Sequence, residues 1–285
     1  MPLYRPTLLL LALLPLGLWA QLHCTQASRA LCEAHLAALA QADLASEDIG
    51  EVAIAVGRRF MGTPYVGKTL EVGDEEQLVI DMEGMDCTTF LEHVVVFTRL
   101  VKLRELTFLA FQRELEKLRY RAGMLDGYAS RLHYFSDWIH DNERKGILRD
   151  VSRSLGGIPY DKPIDFMTSH RTAYRQLAED PYFQAMQQLE AELNRRERFF
   201  IPKTRVAAVE TSIQDGDLIA ITTDIRGLDI IHVGIAIHQN GRLHLMHGST
   251  DRKQVIISEQ PLATYLQGNR RQTGIMVARL MTPGL

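Results

Sequence analysis

Apolar residues recur at three- and four-residue intervals through Phe90, Leu91, Val94, Phe97 and Val101, the spacing of one face of an α-helix. Asp86, just before this run, is a good N-cap type and places the helix start at Cys87. The triplet Val94-Val95-Val96 argues for a strand, since β-branched residues favour strands, but the longer period predicts helix. Leu31 to Arg59 also reads mostly as helix, with Leu36, Leu39, Leu44, Ile49, Ala53 and Val56 on its apolar face and Ser46-Glu47-Asp48 as a restart signal. Leu106 to Arg121 predicts another amphipathic helix, and Ala173 to Asn194, after Ser169, a further one. Between these lie a turn leading into a strand at Gly62-Thr63-Pro64-Tyr65-Val66-Gly67 and a polar hairpin at Leu70 to Val79. From Gly123 to Lys203 the pattern is less regular.

The last third changes period. Leu218-Ile219-Ala220-Ile221 follows the turn Gln214-Asp215-Gly216-Asp217, and Ile230 to Ile237, Leu243 to His247 and Gly274 to Leu280 read as further strands. Helices first and a mainly antiparallel sheet second predict an α+β domain. The chain shows no internal repeat, low-complexity tract or long linker, and its length suits one large domain.

Strand alternation puts His232, Gly234 and Ala236 on one face and the large aliphatics on the other. Asn240-Gly241 is a strong hairpin signal, which allows a register to be written. With those two residues as the loop, Gln239 pairs with Arg242, Gly234 with His247 and His232 with Ser249. His247 then lies diagonal to His232, about 7–8 Å away at the backbone and within reach of a second imidazole. Gly234 leaves room for that contact, and Ser249 is a second candidate to orient His232.

The first residues, Met1 to Ala20, carry Arg5, then an apolar run of about 13 residues, then a small residue, which is the layout of a secretory signal and too short for a membrane span of about 20 residues. The reading is residues 1–20 as signal and 21–285 as one domain, exported and periplasmic, with no permanent span. Without the signal, 31 basic residues face 35 acidic ones, a balance that suggests neither nucleic acid nor an anionic membrane as partner.

Export changes how the three cysteines are read, because an oxidising compartment favours pairing. Cys24 and Cys32 are the pair to consider. Eight residues apart on one helix they would stand about 12 Å apart, so a disulfide requires Cys24 to precede a helix starting near Ser28. Two free thiols are the alternative. In either case Cys87 is left over, at a helix start where unpaired N–H groups and the helix dipole would pull its pKa below the free value of about 8.5. A thiolate, a histidine base and a group that orients the base form the constellation for covalent acyl transfer. No paired Cys-x-x-Cys and no His-x-x-x-His on a helix accompanies them, so no metal ligand set is assigned.

Gly62-Thr63-Pro64-Tyr65, Asp86-Cys87-Thr88-Thr89-Phe90, His232-Val233-Gly234-Ile235-Ala236 and Met246-His247-Gly248-Ser249 resemble, in motif and order, the NlpC-type cell-wall peptidases, a papain-like superfamily. Arg131-Leu132-His133-Tyr134-Phe135-Ser136-Asp137-Trp138, Ile201-Pro202-Lys203 and Gly227-Leu228-Asp229-Ile230-Ile231-His232 resemble more closely the bacterial N-acetylmuramoyl-L-alanine amidase-like family within it. The resemblance covers roughly Ala55 to Leu280. It implies a papain-like fold, Cys87 as nucleophile, His232 as base and then acid, His247 as third polar residue, and no metal or organic cofactor. The substrate class it implies is peptidoglycan or its muropeptide fragments.

Tyr65 falls where the superfamily places a tyrosine near the nucleophile, so it either positions the thiol or oxyanion or is a packed strand tyrosine. Asp86 is either an N-cap alone or also a ligand for a free substrate amine. About 145 residues separate Cys87 from His232, more than a minimal NlpC-type domain needs, so residues 107–205 read as an elaboration that shapes the cleft. Within it Arg131, His133, Ser136 and Asp137 are candidate substrate contacts, with solvated surface as the alternative. The implied reaction is hydrolysis of the amide between N-acetylmuramic acid and L-alanine. A D-glutamyl-diaminopimelate endopeptidase and a non-catalytic peptidoglycan-binding module are the rival readings.

Overall fold

The computed structural model describes residues 22–284, so the expected signal segment lies outside the described residues. The chain opens with β1 (Leu22–Cys24), α1 (Gln26–Gln41), α2 (Ile49–Arg58) and β2 (Leu78–Ile80), then α3 (Cys87–Leu103) and α4 (Phe108–Arg119). A mixed stretch follows, with α5 (Phe135–Arg144), β3 (Leu148–Asp150), β4 (Ile158–Pro159), α6 (Phe166–Ser169), α7 (Asp180–Leu193), β5 (Phe199–Pro202) and α8 (Val206–Val209). The last third holds β6 (Leu218–Thr223), β7 (Ile230–Gln239), β8 (Arg242–Ser249), β9 (Gln254–Ile257), α9 (Leu262–Gln267) and β10 (Gln272–Leu280).

The main sheet has the order β4-β5-β10-β6-β7-β8-β9, with β3 also on β10, and its pairs are antiparallel. The helical first half lies against it, as expected for α+β. β3 to β5 come from the irregular middle of the chain and extend the same sheet past β10.

α3 is the centre of the molecule. Phe90, Leu91, Val94, Val95, Val96, Phe97 and Leu100 are fully buried, so the helix is covered all round rather than on one stripe. Each valine costs at most about 0.7 kcal/mol of helix propensity, whereas burying its side chain contributes about 1.5 kcal/mol or more. Packing therefore overrides the strand preference of the valine triplet. Asp86 caps the helix as expected, its Oδ1 accepting from the N–H groups of Thr88 and Thr89 at 3.0 and 2.8 Å, with Thr89 Oγ1 accepting from the Asp86 N–H in return.

Several expectations are corrected. Leu31 to Arg59 is interrupted after Gln41, where Asp43 turns left-handed (φ 45°), and restarts at the expected signal, with Asp48 capping α2 through the Gly50 N–H. The strand expected after Gly62 is reduced to single bridges, Pro64 with Gln254 and Tyr65 with Met85. In place of a polar hairpin at Leu70 to Val79 there is one buried strand, β2, paired in parallel with β1. The helix expected from Ala173 starts at Asp180, with Pro181 in its first turn, where its fixed φ and missing N–H favour a start.

The three thiols are free, so the Cys24–Cys32 bridge is not formed. Cys24 ends β1 ahead of the helix, as a bridge would require, but its sulfur donates to the Thr25 carbonyl while Cys32 is wholly buried in α1.

His93, on α3, has both ring nitrogens buried without a hydrogen-bond partner among the described residues. It sits between the rings of Phe60 and Phe111. Burial first, then the charges of Arg119 and His35, lower its pKa to about 3. A folded value below the unfolded one of about 6.5 means stability is full above that pH and is lost as pH falls toward 3, by up to about 1.4 kcal/mol per pH unit. His93→Leu is expected to reduce proton uptake on unfolding between pH 6 and 4 by about one proton. Melting temperatures across that range check this, and an unchanged pH slope contradicts it.

Candidate active site

The hairpin at Asn240-Gly241 forms with positive φ at both residues, 51° and 74°, which only a turn of the right twist for tight hairpins requires. Its register runs as expected from Gln239–Arg242 to Ile235–Met246. The expected pairs Gly234–His247 and His232–Ser249 lie beyond its last bonded pair, while on its other edge β8 runs on against β9, with His247 opposite Ile256 and Ser249 opposite Gln254. A Cβ on Gly234 would meet the Met246 carbonyl at 2.7 Å and Leu245 at 2.8 Å. Gly234 therefore lets the two strands approach rather than making space for the imidazoles.

The start of α3 stands at this end of the hairpin. The Val233 N–H and the Thr88 hydroxyl lie close enough to the Cys87 sulfur to favour its ionised form, which places the thiol about one residue along β7 from His232. On the β8 side, a Cβ on Gly248 would lie 3.2 Å from the Asp86 backbone and 3.3 Å from the Cys87 nitrogen. Gly248→Ala is thus expected to push the helix start by a few tenths of an ångström and lower kcat by about tenfold with a near-normal melting temperature. Wild-type kcat in this variant would show that the contact does not set the thiol's position.

His232 Nε2 lies 2.6 Å from His247 Nδ1, with the rings edge-on at 4.8 Å. The contact expected from the hairpin register is thus present. Both rings are held neutral: burial, then the neighbouring His247, lowers His232 to about 3, and burial lowers His247 to about 4 against the charge of Asp251.

The expected low pKa at Cys87 is overturned. Burial and then the charge of Asp86 push the thiol up to about 12, outweighing the donors Val233 N–H and Thr88 hydroxyl. A helix dipole contributes about 0.3–1 kcal/mol, less than one pH unit. Asp86 also consumes the Thr88 and Thr89 N–H groups that would have faced a thiolate. The resting site is a neutral thiol beside neutral imidazoles, and the proton must move during attack.

Tyr65 bonds through its N–H to the Lys253 carbonyl. Its hydroxyl is raised to about 12, first by burial and further by Asp86 and by any ionised form of Cys87 nearby, so it is protonated and able to donate. Asp86 lines a pocket of about 340 Å³ with Lys68, Leu70, Glu71, Arg131, Tyr174 and Arg175. The cap uses only Oδ1; Oδ2 has no partner among the described residues.

Arg131 reaches that pocket, held by Glu71 at 2.6 Å and Glu76 at 3.1 Å. Ser136, Asp137 and His133 are not brought to the cysteine. His133 bonds its ring to the Tyr128 carbonyl at 2.8 Å and packs against that tyrosine's ring, tilted by 46°. Ser136 gives its N–H to Asp229, and Asp137 is fully buried between Arg121 and Arg196, 2.5 Å from each. Ser249 makes no hydrogen bond to His232 among the described residues; its hydroxyl accepts from the Arg252 N–H at 3.1 Å.

Tyr265 is a site residue that the sequence did not disclose. Its ring meets His247 edge-on at 5.7 Å, and its hydroxyl is raised chiefly by burial, against the influence of Gln272 and with a further push from the charge of Asp251. With His247, Ser249, Asp251 and Ser258 it lines a second pocket of about 160 Å³. A lone tyrosine on a short helix gives no pattern that would single it out. Among the described residues, no group of three or more His, Cys, Asp or Glu is arranged to hold a metal ion.

A thiol at a helix start, beside a strand histidine that touches a second one, is an arrangement suited to acyl transfer, and comparison with known proteins narrows it. The model of the AmiA-like family, described as N-acetylmuramoyl-L-alanine amidase-like, matches residues 55–275. The chain belongs to this amidase-like family. An N-acetylmuramoyl-L-alanine amidase from Bacteroides uniformis ATCC 8492 has 40% identity and a TM-score of 0.78, over 81% of this chain and 98% of that one. A Bacteroides fragilis protein provisionally named a xylanase has 37% identity and a TM-score of 0.75, over 79% and 99%. A Legionella pneumophila protein at 20% identity, with a TM-score of 0.68 over 90% and 97%, shares the fold. None of the curated proteins compared with the chain is similar enough to count as a relative. Among the described residues of this amidase-like chain, no helix is long and apolar enough to cross a membrane.

Proposed function

We propose that this chain is a cysteine amidase of papain-like, NlpC-type architecture that hydrolyses the amide between N-acetylmuramic acid and L-alanine in peptidoglycan fragments. The observation that carries it is the start of α3 packed on β7, which sets Cys87 close to Val233 and so next to His232, whose Nε2 is 2.6 Å from His247 Nδ1. Residues 1–20 support export to the periplasm, where peptidoglycan is met.

In this reading Cys87 attacks the lactyl carbonyl carbon while His232 takes the thiol proton, since the thiol is not ionised beforehand. The oxyanion lies toward the Cys87 N–H and the Tyr65 hydroxyl. The C–N bond breaks as His232 passes its proton to the alanine nitrogen, leaving a thioester on Cys87. His232 then takes a proton from water, which attacks the thioester and releases the muramic acid carboxylate and the thiol. His247 holds the His232 ring and shares the charge it gains. The reaction calls for no metal or organic cofactor.

Asp86 favours one rival, because its free Oδ2 borders the larger pocket and suits the free amine that a D-glutamyl-diaminopimelate endopeptidase would bind. Product masses from defined muropeptides separate the two. The amidase releases an intact stem peptide with L-alanine first, the endopeptidase releases a fragment starting at diaminopimelate, and binding with no turnover under reducing conditions would contradict both.

A further inference from the structure

The proton on His247 is fixed by what His232 must do. To accept from Cys87 at Nδ1, His232 must carry its own proton on Nε2 and donate it to His247 Nδ1, 2.6 Å away. His247 then carries its proton on Nε2. That atom is buried and has no hydrogen-bond partner among the described residues, and His247 itself is only 2% exposed. Orphaned buried N–H groups are costly and rare, so this one points to an acceptor beyond the pair.

The pocket behind His247 supplies candidates: Ser249, Asp251, Ser258, Glu259 and Gln260, with Arg252 and Tyr265. Ser249 Oγ already accepts from the Arg252 N–H, and Ser258 Oγ accepts from the Leu245 N–H and donates to the Gln260 carbonyl, so each keeps at most one lone pair and neither carries charge. Arg252 and Glu259 are paired with each other. Asp251 is left as the pocket carboxylate without an ion-pair partner among the described residues, on a turn that the Ser249 hydroxyl ties down. The other titratable groups around the ring are His232 on β7, Cys87 on α3 and Tyr265 on α9.

We infer that Asp251 is a positioning residue that holds His247 in the Nε2–H form from the pocket behind the imidazole pair, through a bridging water for which the pocket has room. Its charge faces the cation that forms on the pair when Cys87 gives up its proton, and so favours that transfer. The inference rests on the Cys87, His232 and His247 reading above. It also gives Ser249 a place, one step back from the one expected, as the anchor of the Asp251 turn.

Asp251→Asn is expected to lower kcat by about tenfold with KM unchanged, and to slow iodoacetamide alkylation of Cys87 at pH 8, read by peptide mass, by a similar factor. Asp251→Glu is expected to recover most of both. In a His247→Gln background the Asp251 substitution is expected to add nothing. Wild-type rates in folded Asp251→Asn, or a loss that persists undiminished in the His247→Gln background, would overturn the inference. Asp251→Ser provides the same comparison if the asparagine variant does not fold. Alkylation needs no muropeptide, so a slowed Cys87 with no muropeptide turnover would sustain this inference while rejecting the substrate.

Discussion

Cys87→Ala is expected to lower kcat/KM for muropeptide hydrolysis by about five orders of magnitude, and His232→Ala by a comparable amount, because a nucleophile and its base act as one unit. The two losses should not add. Cys87→Ala keeps the cap made by Asp86, whose bonds run to the Thr88 and Thr89 backbone rather than to the sulfur, so its melting temperature should stay near wild type. His247→Gln should cost less, because it can still hydrogen-bond the His232 ring. Steady-state kinetics on one defined muropeptide check all three. A Cys87→Ala enzyme within tenfold of wild type would place the chemistry elsewhere.

Arg119→Met is expected to be the most damaging change away from the site. Arg119 and Glu92 pair at 2.7 Å with only 2% of each side chain exposed. Arg119 also donates to the Val79 carbonyl at 2.6 Å, and Trp138 donates to the other Glu92 oxygen at 3.2 Å. The pair thereby ties β2, α3, α4 and α5 together. Removing the arginine leaves a buried carboxylate uncompensated, which costs about 3–5 kcal/mol, equivalent to a melting temperature lower by about 10 °C in a chain of this size. Arg119→Met combined with Glu92→Leu should recover much of that loss, because replacing both charges with apolar groups removes the unpaired charge. A melt of Arg119→Met within 2 °C of wild type would show that the pair contributes little.

The parts that were legible in the sequence are those set by local pattern. The period through Phe90 to Val101 and the Asp86 cap located α3, and Asn240-Gly241 located a hairpin that brings His247 to His232. What was not legible depends on partners distant in sequence. α5 was missed because Tyr134, at its N-cap, makes no side-chain cap bond; the Ser136 N–H is satisfied instead by Asp229, 93 residues away. Asp137 reads as a substrate contact because a carboxylate beside Ser136 gives no local sign of a buried partner, yet Arg196, 59 residues on, closes over it. β2 is a three-residue strand whose partner is the equally short β1, too short to show alternation. The ionisation of Cys87 is hidden for the same reason: position at a helix start is local, but the burial that outweighs it is tertiary.

The central claim is that Cys87 carries the acyl group. It is tested most directly by quenching the enzyme with acid during turnover of a defined muropeptide and measuring the mass of the intact protein and of its Cys87 peptide. The account predicts a thioester adduct with the mass of the muramoyl acyl group on Cys87, formed as L-alanine-led peptide is released and lost as water attacks. Turnover at full rate with no adduct at any quench time, and the same turnover in Cys87→Ala, would contradict it.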